Sequence, residues 1–132
     1  MKHLEVALRL LALEGADPEA AVRVYARMAA RFEPLIGVAG MRAILVRSAK
    51  LSVAEYPCFA SLAVAPPGSM HTVEDRLQAS FGEHEPAPLS AAAALYGKLL
   101  GLLASFIGEP LVRQVLRGAF PALEQNVRGS EP

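Results

Sequence analysis

The sequence predicts an all-α protein, a bundle of five or six helices containing two pseudo-twofold-related helix–corner–helix units. Three observations lead there. First, residues 18–49 and 89–120 align without gaps at a constant offset of 71. Seven positions are identical: Ala20/Ala91, Ala21/Ala92, Tyr25/Tyr96, Ile36/Ile107, Gly37/Gly108, Arg42/Arg113 and Leu45/Leu116. Shuffling the two windows would give roughly three. Arg27/Lys98, Leu35/Phe106 and Ile44/Val115 keep their character. Second, apolar residues recur at helical spacing between glycine and proline punctuation. Third, the one strand-like stretch, Phe59 to Val64, has no second strand to pair with.

The first helix is expected over Lys2–Glu14. Leu4, Leu8 and Leu11 share a face, Glu5 and Arg9 can pair at i,i+4, and Gly15 ends it. Asp17-Pro18-Glu19 restarts the chain as N-cap, first-turn proline and first-turn acid. The second helix runs to about Phe32. Glu33-Pro34-Leu35-Ile36-Gly37 then forms a corner, because Pro34 disfavours the helical conformation at Glu33. A third helix covers about Val38–Ala54, stopped by Tyr56-Pro57.

Residues 55–71 read as an irregular connector containing the Pro66-Pro67-Gly68-Ser69 turn. A short fourth helix is expected over about Val73–Phe81, after His71-Thr72. The fifth, from Ser90 to about Phe106, is apolar nearly all round and should be central. Ile107-Gly108 makes the second corner, Glu109-Pro110 opens a sixth helix to about Phe120, and 122–132 form a short polar tail.

One domain of 132 residues is large enough for a real core. Hydrophobic residues make up 53% and mean hydropathy is +0.32. So small a domain cannot hide that much apolar surface, so a partner is expected, most simply a second copy in a homodimer. Lys+Arg and Asp+Glu balance at 13 each, which argues against a nucleic-acid partner. Pro88 to Gly108 carries a single charge, Lys98, near its middle. A charge there costs ~3 kcal/mol in lipid, so a buried core helix is expected, without membrane insertion. Cys58 is the only cysteine; a disulfide scaffold is excluded and a reducing, cytoplasmic setting is expected.

Ala93, Gly97, Gly101 and Ser105 recur every four residues, and Val22, Ala26, Ala30 and Pro34 match them in the first unit. Glycine inside a helix costs ~1 kcal/mol and needs a packing reason. The expected reason is a close crossing of the second and fifth helices, Ala26/Ala30 against Gly97/Gly101.

Arg42 and Arg113 each sit five residues past a corner glycine. Their guanidinium forks could form an anion site, or tie down carbonyls at the preceding helix end, or pair with Glu33 or Glu109. Tyr25 and Tyr96 fit core positions with satisfied hydroxyls, or polar contacts in a pocket. Arg23, Arg27 and Arg31 form a basic stripe, and residues 51–90 lean acidic. Neither His71/Glu74/Asp75 nor Glu83-His84-Glu85 has a metal-ligand spacing, so no metal or cofactor is expected. No catalytic constellation stands out. The sequence therefore favours a non-enzymatic interaction or regulatory module. The alternative is a small-molecule sensor with an apolar pocket between the central helices.

Overall fold

The computed structural model describes residues 2–15, 19–64, 76 and 89–122. Among these, all regular structure is helical. α1 spans His3–Leu13, α2 Ala20–Ile36 and α3 Val38–Ser52. A 3-10 turn at Pro57–Phe59 leads into the short α4, Ala60–Ala63. α5 is Leu89–Ile107 and α6 is Glu109–Ala119. The Asp17-Pro18 restart, the 66–69 turn, the 73–81 helix, the two His/Glu clusters and the tail beyond Ala122 lie outside the described residues.

α2 hands over to α3, and α5 to α6, at a single glycine. Gly37 has φ 85° and ψ 156°, and Gly108 has φ 92° and ψ 145°. An L side chain is excluded from that region of backbone space. The local bonding is the same at both: Gly37 N–H donates to the Glu33 carbonyl (2.8 Å) and Gly108 N–H to that of Ala104 (2.9 Å). Each glycine carbonyl then accepts the first bond of the following helix, from Met41 (3.0 Å) or Val112 (3.1 Å). The glycine therefore closes one helix and opens the next without a loop.

Two boundaries differ from the sequence expectation. α2 does not stop at Phe32; it carries Pro34 inside its last turn and ends at Ile36. Proline lacks the N–H that would bond four residues back. Here that loss falls on an exposed position, while Phe32 beside it is fully buried and Ile36 packs on the core. The connector is also not irregular over 57–63. Pro57 opens the 3-10 turn, and Phe59, Leu62 and Ala63 turn inward, so burial makes this segment helical.

α1 packs mainly on α5 and only lightly on α2. α2 packs on α3 and α6, and α5 packs on α3 and α6, while α4 caps α3. The shared core holds Leu10, Leu11, Met28, Phe32, Met41, Leu45, Phe59, Leu62, Tyr96 and Phe120, all buried. Full burial of one such side chain stabilises by ~1.5–3 kcal/mol, so this cluster dominates the favourable side of folding.

The small-residue stripe of α5 has a packing reason, but not the expected one. A β-carbon on Gly97 would lie 3.3 Å from the Leu4 Cα and 3.4 Å from its backbone nitrogen. One on Gly101 would lie 3.3 Å from His3 Nδ1. The glycines thus admit the backbone of α1, whereas Ala26 and Ala30 of α2 face solvent. The expected crossing of Ala26/Ala30 on Gly97/Gly101 is overturned. The apolar face of α1 needs cover, and α5 offers the closer approach.

Gly37→Ala and Gly108→Ala should each lower stability by ~1–3 kcal/mol, because alanine must strain into the glycine-only region. Gly97→Val should cost ~1–3 kcal/mol by prising α1 from α5. Gly40→Ala is the control. Its β-carbon meets only the Ile36 side chain, at 3.6 Å and 3.7 Å, so it should gain about 0.5–1 kcal/mol. Urea denaturation midpoints check all four. A Gly37→Ala protein as stable as its parent would refute the corner argument.

Candidate functional site

α2 and α5 meet through their tyrosines. Tyr25 and Tyr96 are both buried, at 3% and 0% exposure. The Tyr96 hydroxyl donates to the Ala21 carbonyl of α2, which links the two helices across the core. Burial pushes the Tyr96 phenol well above its ordinary value near 10, and the neighbouring Tyr25 adds to the rise. A phenol so placed stays neutral and shielded from water. It ties two helices together and is not poised for acid–base chemistry.

The two arginines are not equivalent. Arg42 on α3 is buried, 5% exposed. Arg113 on α6 is half exposed and lies 3.8 Å from Glu109 on its own helix. Two exposed guanidinium forks do not share one surface. Glu109 also approaches α1: His3 Nε2 lies 3.3 Å from its Oε1, too poorly aligned for a hydrogen bond.

Other polar groups are spoken for locally. Ser48 donates to the Ile44 carbonyl (2.8 Å) and Ser52 to that of Ser48 (2.9 Å), each one turn back along α3. Neither hydroxyl is presented as a nucleophile. The Cys58 side chain is exposed, yet partial burial raises its thiol above the usual range, only partly offset by a backbone hydrogen bond. Raised in this way, the thiol is mostly protonated near neutral pH and is a poor nucleophile. No group of three metal-ligating side chains occurs among the described residues.

Glu14, at the end of α1, is a residue the sequence pattern did not single out. Its carboxylate is 12% exposed and takes Arg27 directly and Arg23 Nε at 3.6 Å. Its carbonyl accepts a second bond from Arg23. Arg27 also lies 5.1 Å from the centroid of the Phe120 ring, a cation–π distance. Two of the three stripe arginines therefore pin α1 to α2, and α2 to the end of α6. The only hint in the sequence is an acid at a helix C-terminus, against the dipole, just before an arginine-rich helix.

Among the described residues there is also an open groove of about 540 Å³, lined by His3, Leu4, Glu55, Ala94, Gly97, Lys98 and Gly101. It lies where α1 crosses the α5 glycines, not between α2 and α5, and none of Tyr25, Tyr96, Arg42 or Arg113 lines it.

Comparison with known proteins gives no matching family model, no similar curated protein and no similar solved structure.

Tyr96→Phe should lose ~1 kcal/mol, the net worth of one buried hydrogen bond. The phenol's pKa is raised in the fold, so its contribution is complete below the unfolded value near 10. It is lost as pH rises through the folded value. Melting temperatures between pH 8 and pH 12 should fall less steeply in Tyr96→Phe than in the parent. Arg42→Ala should cost ~2 kcal/mol through lost packing of a buried side chain, and Arg113→Ala under ~0.5 kcal/mol. Equal losses in chemical denaturation would contradict the difference in burial.

Proposed function

We propose that this chain is a non-enzymatic helical interaction module that works as a homodimer in the cytoplasm. The observation that carries the reading is the apolar surface left in water. Phe106 is 70% exposed, Val64 72% and Leu4 53%, and Leu8, Leu35 and Leu51 are each close to half exposed. That many large apolar side chains on a chain of 132 residues fit a surface meant to be covered. A lone exposed thiol suits a reducing compartment.

The module is read as two pseudo-twofold-related units, 18–49 and 89–120, each a helix, an Ile-Gly corner and a helix. At the offset of 71 the bounds agree: Ile36/Ile107 end the first helices, and Val38/Glu109 begin the second. The corner glycines share their backbone angles. Burial matches at Val24/Leu95, Tyr25/Tyr96, Met28/Leu99, Phe32/Leu103, Met41/Val112 and Leu45/Leu116. Packing is reciprocal too, since each unit's first helix packs on its own second helix and on that of the other unit.

α5 is long and apolar enough to cross a membrane by length and composition. Its contacts with α1, α3 and α6 supply another reason for that composition, and the proposal has it as a core helix. The balanced net charge leaves nucleic acid out of the proposal.

A second reading, a small-molecule sensor, is favoured by the groove over Gly97 and Gly101. One experiment separates the two. In native mass spectrometry over a concentration series, the module should give a dimer without added mass. A reproducible extra mass would favour the sensor. A strict monomer at high concentration that captures no partner would sink the module.

A further inference from the structure

We infer that the outward face of α1 is the dimer seam, and that its occupant is α1 of a second copy, running antiparallel about a twofold axis. This rests on the homodimer reading and adds the surface, the partner element and the register.

The exposed positions of α1 are Leu4, Glu5, Leu8, Arg9 and Ala12, with Lys2 exposed at its N-cap. At about 100° per residue, Leu4 and Leu8 form one edge of the outer face, Ala12 its middle, and Glu5 and Arg9 the other edge. The face is thus split lengthwise into an apolar edge and a charged edge. A small residue between them permits close approach.

That pattern is self-complementary in one direction only. Place a twofold axis beside the midpoint of residues 4–9, perpendicular to both helices. Leu4 then lies beside the partner's Leu8, and Glu5 beside the partner's Arg9, each within about 1.5 Å along the helix axis. The twofold repeats both pairs, as an isologous interface requires. A parallel arrangement would instead set the apolar edge of each copy against the charged edge of the other, Leu4 beside Glu5 and Leu8 beside Arg9.

The charges are also available. The sequence allows an i,i+4 pair between Glu5 and Arg9, but the structure does not form it. Glu5 lies 3.9 Å from Lys2, and both of these side chains are largely in water. Arg9 has no ion-pair partner among the described residues. Phe106 and Val64 are more exposed singly, but neither belongs to a face that carries both signs of charge in reciprocal register.

The test is sedimentation velocity over a concentration series on four proteins: the parent, Glu5→Arg, Arg9→Glu and the double charge swap. Circular dichroism checks that each retains its helix content. The parent should dimerise. Each single variant should weaken dimerisation by about tenfold, because two pairs per dimer become repulsive. The double swap should restore it. A monomeric parent overturns the homodimer reading and this inference together. A dimeric parent with four indistinguishable proteins overturns the α1 seam and leaves the homodimer standing. Weakened single variants without rescue overturn the antiparallel register.

Discussion

The architecture depends on two glycines whose backbone no other residue adopts without strain. Gly37 and Gly108 each turn the chain from one helix into the next in one residue, with no intervening loop. The direction of α3 therefore follows from α2, and that of α6 from α5. Once those angles are set, Met41 and Leu45, like Val112 and Leu116, can only turn inward. The core is then filled from both helix pairs at once, with α3 packing on α5 and α6 on α2.

A second pair of glycines serves close approach rather than turning. Gly97 and Gly101 let the start of α1 lie on the α5 backbone. The helix-propensity cost of each glycine is matched by a close neighbour, Leu4 at Gly97 and His3 at Gly101. The partner named by pattern alone was the wrong one. Small residues on two helices show that each can be approached closely, but not by what. Ala26 and Ala30 remain in solvent because α2 spends its inward face on Tyr25, Met28 and Phe32.

The polar residues divide in a similar way. That Tyr25 and Tyr96 are core residues was legible from their helical spacing, and the Tyr96 hydroxyl finds its acceptor in the Ala21 carbonyl. The link from Arg113 to Glu109 was legible because it is local, one turn apart. The burial of Arg42 was not, since Arg113, equally five residues past a corner glycine, is exposed. Nor was the role of Glu14, whose arginines lie 9 and 13 residues along the chain on the next helix. Such contacts depend on the angle between two helices, and no periodicity encodes that angle.

By itself the chain's sequence determined the helical class, the presence of corners at Gly37 and Gly108, and the apolar α5. All of these follow from backbone allowances and spacing within a few turns. It misjudged the end of α2 and the order in residues 57–63, where burial of Phe32, Phe59 and Leu62 outweighs the local signals of Pro34 and Pro57. Only the tertiary structure decided which helix covers the α5 glycines, which arginine is buried and which leucines stay in water. Each of those outcomes is a competition among surfaces for one neighbour, and it is settled by packing over the whole chain.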